Sequence, residues 1–493
     1  MRLSRLLQGY VVETILPDLD IAGMALDSRN IGEGYLFVAL QGTREHGLAY
    51  TERAIAEGAI AVIWESSPEV NAEQLQHKVP MIEVADLGMK LGKIASRFYD
   101  HPSRSMTVFG VTGTDGKTSV AHIIAEAMDN QELRAGYIGT LGSGLIGDLK
   151  QTAHTTPDAI TLQAELAKLR DRKVRWVAIE VSSHALDQGR VEGVEFDVAI
   201  FTNLSRDHLD YHGDLEAYAA AKRRLFLRQG LDFAVINLDD PYGDALADSL
   251  RDQVRILGFG TRKSSYEFEA VVARELSFTR HGTHARVTTP WGGGVLNSAL
   301  LGRFNVQNLL AALASMLLEG VELEEALIRL ASVHTVPGRM EAFGGEAGPL
   351  AVVDYAHTPA ALEHVLSASK EHCRGQLWCL FGCGGDRDQG KRPLMAAVAE
   401  QFADRVIVTN DNPRSEDPRQ IVADIMQGFT RPSEVMVEPD RSRAIEMAMS
   451  QAGPDDVVLI AGKGHETVQI IGEERIHLSD RDEVVRQLNE VLS

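Results

Sequence analysis

Short apolar runs alternate with amphipathic stretches along most of the chain, and each run stops at a polar or glycine-rich turn. Tyr35–Leu40, Ala59–Trp64, Met106–Val111, Trp176–Val181, Val198–Thr202 and Phe233–Asn237 have the length and bounding turns of buried strands. Four more such runs lie in the last third: Ala351–Asp354, Leu377–Phe381, Arg405–Thr409 and Val457–Ala461. Between them the apolar positions change to helical spacing. Val120, Ile123, Ile124, Ala127 and Met128 share one helix face, as do Val306, Leu309, Leu310 and Leu313. The same reading predicts helices over residues 49–57, 89–99, 159–170 and 215–227. Strands that alternate with helices in this way predict an α/β fold with mostly parallel sheets.

The 493 residues suit about three domains at roughly 150 residues each. The expected division is 1–104, a small α/β domain; 105–335, a central P-loop-type domain; and 336–493, a Rossmann-like domain. His101-Pro102 is the expected first linker, because proline disfavours helix just before it. The 49 basic and 70 acidic residues give a net charge of −21, which argues against a general nucleic-acid or anionic-membrane surface. Cys373, Cys379 and Cys383 are few and odd in number, as suits a reducing cytoplasm rather than a disulfide framework. No fourth ligand nearby completes a zinc site. No signal-peptide pattern opens the chain and no apolar run is long enough to span a bilayer. The expectation is a cytoplasmic monomer.

Candidate chemistry centres on residues 106–128. A strand, the turn Gly113-Thr114-Asp115-Gly116-Lys117-Thr118 and a helix start make an anion site. The backbone closes around phosphate and free N–H groups point into it. Lys117 would reach the outer phosphates and Thr118 would ligate Mg²⁺. The strict P-loop pattern fails by spacing, since Val111 stands where its first glycine belongs. Glu180 is a carboxylate at the end of an apolar strand, where α/β sheets gather ligands, so it reads either as a Mg²⁺ holder or as a salt-bridged strand end. Residues 203–213 carry two histidines and two aspartates that suit a divalent ion or a structural role equally. Lys222-Arg223-Arg224 reads on charge as a solvated face. In the last third, Arg387 and Arg414 follow strand ends, where guanidinium could grip a carboxylate or form an exposed ion pair.

Six motifs occur in order: Gly113-Thr-Asp-Gly-Lys-Thr118; Glu180-Val-Ser-Ser-His184; Asn203-Leu-Ser-Arg-Asp-His208-Leu-Asp-Tyr-His212; Gly302-Arg-Phe-Asn305; Pro337-Gly-Arg339-Met-Glu341; and Asp354-Tyr-Ala-His357. Together they resemble the Mur ligases, which use ATP to make amide bonds; the phosphate loop alone is also similar to that of folylpolyglutamate synthetases. The resemblance implies an ADP-forming ligase of cell-wall peptide synthesis. It would add meso-2,6-diaminopimelate to UDP-N-acetylmuramoyl-L-alanyl-D-glutamate through an acyl phosphate. An L-lysine-adding relative or a folylpolyglutamate synthetase is the alternative. It implies ATP contacts from Gly113, Thr114, Asp115, Gly116, Lys117, Thr118, Ser119, Asn305, Arg339 and Asp354. Mg²⁺ would be held by Thr118, Glu180, His208 and an N-carboxylated Lys222. Leu26, Ser28, Thr43, Arg44 and Glu45 fall at uridine positions of the first domain, although Ser28 and Thr43 taken alone are equally turn residues. His154, Thr155, Thr156, Ser182, Gln188 and Arg190 match positions for the muramyl dipeptide. His46 stands where that family often has Asp, and His154 where it often has Asn. Arg387, Asp411, Asn412, Pro413, Arg414, Gly462 and Glu466 match the diaminopimelate site.

Overall fold

Apolar runs flanked by helices bury both faces of each strand, and parallel sheets result. The computed structural model describes the whole chain except residues 12–15, 43–44, 68–77, 131, 263–266, 346–347 and 492–493. The candidate residues Thr43 and Arg44 therefore lie outside the described residues. Two compact units are present, the first essentially Met1–Phe259 and the second essentially Ala270–Leu313 with Leu317–Ser493.

In the first unit, β1 (Gly23–Ala25), β2 (Tyr35–Ala39), β3 (Ala59–Trp64) and β4 (Met81–Glu83) form a parallel four-stranded sheet in that order. Leu36, Val38, Ala61 and Ile63 pack beneath the helix Leu87–Phe98, whose Leu87, Leu91, Ile94 and Ala95 are buried. His101-Pro102 is not an exposed linker. Pro102 and Ser103 are buried in a short 3₁₀ turn, and Arg170 donates to the carbonyl of Tyr99 just before it. The remaining strands are β5 (Thr107–Thr112), β6 (Arg134–Gly139), β7 (Gly142–Leu145), β8 (Asp148–Lys150), β9 (Val174–Glu180), β10 (Val198–Phe201), β11 (Phe233–Asn237) and β12 (Arg255–Gly260). They run in the order β12-β11-β10-β5-β9-β6-β7-β8, with β5 near the middle. The helix Lys117–Met128 follows β5, and all five residues of its expected apolar face are buried. Asp158 starts the helix Ala159–Asp171, accepting from the Ile160 and Thr161 N–H groups, and Pro157 stands just before this cap.

In the second unit, β13 (Ala270–Thr279), β14 (Gly282–Thr289) and β15 (Gly292–Ser298) make an antiparallel meander that the sequence reading does not anticipate. The Rossmann-like part contains β16 (Glu341–Gly344), β17 (Leu350–Asp354), β18 (Leu377–Phe381), β19 (Arg405–Val408), β20 (Met436–Val437) and β21 (Val457–Ala461), in the order β16-β17-β21-β18-β19-β20. Strands β17, β21, β18 and β19 are mutually parallel. Their C-terminal ends carry Tyr355–His357, Gly462–Glu466, Gly382–Asp388 and Thr409–Arg414 along one edge. A hairpin of β22 (Val468–Ile471) and β23 (Glu474–His477) follows.

Candidate active site

Register places the central chemistry of the first unit. Strand β5 lies between β10 and β9, and Val111 pairs with Glu180. The last residue of β9 therefore sits beside the turn that leaves β5. Gly113 has φ +151°, and a Cβ there would come within 1.9 Å of the Thr202 hydroxyl oxygen, so only glycine lets the loop pass. The loop is held from the side: Thr114 N–H donates to Asn203 O (2.9 Å), Asp115 N–H to Asn203 Oδ1 (2.9 Å) and Ser205 N–H to Thr114 Oγ1 (2.9 Å).

Two lysines converge on this loop. Lys117 Nζ donates to the carbonyls of Gly113 (2.9 Å) and Thr114 (2.7 Å), and Lys222 Nζ donates to the same Gly113 carbonyl at 2.6 Å. Lys222 is 1% exposed, so Lys222-Arg223-Arg224 is not the solvated face that its charge implies. Burial and the neighbouring Lys117 charge push the Lys222 amine down to about 6.

Glu180 is fully buried yet well supplied with donors. It accepts from Thr118 Oγ1 (2.7 Å), Thr140 N–H (2.8 Å), Thr140 Oγ1 (3.3 Å) and the Tyr137 hydroxyl. A carboxylate and a threonine hydroxyl side by side at a phosphate loop are hard oxygen donors of the kind Mg²⁺ takes. Among the described residues, no three His, Cys, Asp or Glu side chains are grouped to hold a metal ion. These donors thus fit an ion completed by substrate oxygens and water, the usual arrangement for Mg²⁺.

The 203–213 stretch forms a box of rings rather than a chelate. His184 packs against His208 (4.8 Å between centroids), Tyr211 (4.2 Å) and His212 (5.4 Å), and Tyr218 meets His208 and His212. Burial lowers His184 and His212 from the ordinary histidine value. The Lys222 amine stands 4.2 Å from the centre of the Tyr218 ring. Tyr137 and Tyr218 escape the sequence reading because nothing local distinguishes them from core residues, and His184 enters it only as the end of a motif, with no role of its own.

Of the dipeptide positions, Thr156 is buried and spent internally. It donates to Glu180 O (2.7 Å) and accepts from Ser182 N–H (3.0 Å). Ser182 caps a short helix at Ala185 N–H. Arg190 donates to Gln188 Oε1 and to Thr156 O, and Gln188 donates to the Tyr211 hydroxyl, so these side chains form one chain. Thr155 meets Thr140, and His154 is exposed. At the uridine positions, Ser28 is buried, Leu26 is half-buried and Glu45 accepts from the Tyr50 hydroxyl. His46 caps the turn Gly47–Tyr50, accepting from Leu48 N–H while its other ring nitrogen meets Glu65 O at 2.9 Å. It does the capping work that an aspartate would do.

In the second unit, Asp354 is buried, with one oxygen on Met340 N–H and the other on Ala356 N–H, each at 2.7 Å. Arg339 is exposed above the Tyr355 ring, and Asn305 donates to Leu301 O. The amino-acid positions gather on neighbouring loops. Arg414 has φ +53°, a conformation that a bulky residue keeps only where its surroundings hold it. Here its N–H donates to Ile470 O (3.0 Å) and its carbonyl accepts from Gly472 N–H (2.7 Å), both from the β22–β23 hairpin. Arg414 Nη1 donates to Gly385 O (2.8 Å), which leaves the other edge of the guanidinium without a partner among the described residues. A Cβ on Gly462 would lie 2.7 Å from Asp411 Oδ2, so this position needs glycine for the carboxylate to approach. Asn412 Nδ2 donates to Glu466 Oε2 at 2.8 Å. Arg387 is exposed, and among the described residues it donates only to its neighbour's carbonyl.

The Mur ligase family catalytic domain matches residues 20–99, the Mur ligase middle domain residues 111–316, and the Mur ligase glutamate ligase domain residues 338–464. The chain is 49% identical to the UDP-N-acetylmuramoyl-L-alanyl-D-glutamate–2,6-diaminopimelate ligase of Alkalilimnicola ehrlichii, over 99% of each chain. It is 49% identical to the same-named ligase of Pseudomonas aeruginosa, over 96% of each. A solved structure of a ligase with that name is 37% identical, with a TM-score of 0.79, over 100% of this chain and 99% of the other. The folylpolyglutamate synthase of Mycobacterium tuberculosis in complex with ADP, at 20% identity and a TM-score of 0.60 over 76% of this chain and 92% of its own, shares the fold. With nearly half of its residues identical to such relatives from end to end, the chain belongs to the Mur ligase family.

Proposed function

We infer that the protein is an ADP-forming ligase that adds meso-2,6-diaminopimelate to UDP-N-acetylmuramoyl-L-alanyl-D-glutamate in peptidoglycan synthesis. End-to-end identity of 49% to ligases of that name carries this reading. The division into domains 1–104, 105–335 and 336–493 is proposed with it, as are a cytoplasmic monomer and the substrate contacts set out above. No described helix is long and apolar enough to cross a membrane.

A carboxylate acylates an amine poorly, so ATP activates it. The loop N–H groups and Lys117 bind the phosphates and stabilise charge as the D-glutamyl γ-carboxylate attacks the γ-phosphorus. ADP leaves and an acyl phosphate remains. The amine of diaminopimelate then adds to its carbonyl, and phosphate departs from the tetrahedral adduct. Thr118 and Glu180 would hold Mg²⁺, with His208 and a carboxylated Lys222 toward a second ion; these ions would neutralise phosphate charge. Phosphate release should require ATP, the uridine dipeptide and diaminopimelate together. Release at the same rate without the amino acid would point to a simple ATPase.

Glu180→Gln should lower turnover by about 10²-fold, the scale of losing one preorganised electrostatic group. The amide keeps an oxygen for Thr140 N–H but loses the charge beside Thr118. Calorimetry should show unchanged binding of the uridine substrate. Loss of that binding with unchanged Mg²⁺ dependence would assign Glu180 to another site.

Lys222 is proposed to carry a carbamate. Only a neutral amine adds to CO₂, and burial beside Lys117 brings Lys222 to about 6. The reactive form is therefore present above that pH and lost as pH falls through it. A carbamate ¹³C resonance should appear with labelled bicarbonate at pH 8 and fade toward pH 5. Lys222→Ala should lose both the resonance and turnover, and short-chain carboxylates should restore part of the turnover. Full activity of Lys222→Ala without additives would refute the assignment.

A further inference from the structure

Lys463 lies in the turn after β21, between two glycines of positive φ, and is fully buried. Gly-Lys-Gly at a strand end reads as a further phosphate grip, but the contacts oppose that. The ammonium has three protons and three acceptors: Val468 O at 2.7 Å, Glu466 Oε2 at 3.1 Å and Asn412 Oδ1 at 3.4 Å. Nothing is left over for a ligand. A buried cation is costly unless paired, so these contacts belong to the folded loop itself.

The partners show what the cation arranges. Asn412 Oδ1 also accepts from Ile470 N–H at 3.0 Å, so two donors fix the amide oxygen and turn the NH₂ group to Glu466 Oε2. Both side-chain bonds to Glu466 thus fall on one oxygen. Among the described residues Oε1 has no partner, and the side chain stays 29% exposed.

We propose that Lys463 is a positioning residue for amino-acid specificity: it ties Glu466 by one oxygen, so that the other receives the ammonium at the far end of the incoming amino acid. Arg414, on the neighbouring loop, takes the far carboxylate. The far end of diaminopimelate is itself an α-amino acid, and the two contacts read its two groups separately. The inference rests on the amino-acid-site reading given above.

L-2-aminopimelate is the discriminating probe, because it keeps the far carboxylate and lacks the far ammonium. Lys463→Met should lower kcat/KM for meso-diaminopimelate about 30-fold, the scale of a lost charge-assisted hydrogen bond that held a binding group. It should change kcat/KM for L-2-aminopimelate and the KM for ATP by less than about threefold, since neither uses the Glu466 contact. In a Glu466→Gln background the added Lys463→Met should leave the diaminopimelate-to-aminopimelate ratio unchanged. An equal loss on both amino acids, or the same penalty in both backgrounds, would overturn the inference. If Lys463→Met fails to fold, Lys463→Gln, which keeps N–H donors in the turn but removes the charge, is measured in the same way: a loss on diaminopimelate alone supports the inference, and an equal loss on both amino acids overturns it. A wild-type enzyme that ignores meso-diaminopimelate would instead sink the reading of the site on which the inference rests.

Discussion

Lys117→Ala is expected to abolish ligation, with a fall in turnover of about 10³-fold or more, the upper range for removing one preorganised charge at a transition state. The ammonium is held within the loop, on the carbonyls of Gly113 and Thr114. Lys222 bonds the same Gly113 carbonyl, but burial and the Lys117 charge lower its amine to about 6, which disfavours its charged form, and the proposed carbamate would make it an anion. No second cation therefore replaces Lys117 at the phosphates. The loop itself should survive, because Asn203 holds Thr114 and Asp115 from the side and Gly113 remains in place. Circular dichroism and Tm should match wild type while phosphate release disappears. Near-normal turnover in a folded variant would refute the role given to this loop.

Arg414→Ala should be nearly as damaging, and on the amino acid alone. Diaminopimelate differs from lysine by a second carboxylate at its far end, and the free edge of the Arg414 guanidinium can meet that carboxylate with two parallel bonds. Pro413 before it and the hairpin bonds at its N–H and carbonyl fix the backbone from which it projects. Those backbone bonds remain in the alanine variant, so the loop should keep its shape. A site built around a polar group rejects the analogue lacking it by roughly 10⁴-fold, which is the preference expected for meso-diaminopimelate over L-lysine. The variant should lose most diaminopimelate turnover and keep ATP binding, as read by calorimetry. Arg414→Lys should not rescue it, because an ammonium lacks the planar fork. Unchanged kinetics in either variant would remove Arg414 from the site.

Much of this was legible before the structure, for a local reason. The phosphate loop declares itself because strand, turn and helix are contiguous, and Glu180 because a charge at the end of an apolar run needs explaining. The four strand ends of the second unit follow from the same logic. What stayed hidden depends on distant contacts. Lys222 sits among charged neighbours on its helix, and only the Gly113 carbonyl, 109 residues away, shows that it is buried. Thr156 looks like a ligand group in sequence, yet it spends its hydroxyl on Glu180 and Ser182. His46 departs from the family pattern, but its ring nitrogen takes over the cap. The β13–β15 meander went unread, because on the buried face of Gly282–Thr289 only Ala285 and Val287 are apolar, and glycine and threonine fill the other buried positions. Glycines and a bulge between Arg274 and Ser277 obscure the two-residue strand period in its neighbours.

The mass of the uridine product shows which amino acid the enzyme joins. Wild-type enzyme, ATP and UDP-N-acetylmuramoyl-L-alanyl-D-glutamate would be incubated with equal concentrations of meso-diaminopimelate and L-lysine in one vessel. The diaminopimelate adduct is expected as essentially the sole new uridine product, with one ADP and one phosphate formed per adduct. Comparable lysine adduct would move the enzyme to the lysine-adding branch of the family, and ADP without either adduct would contradict ligation altogether.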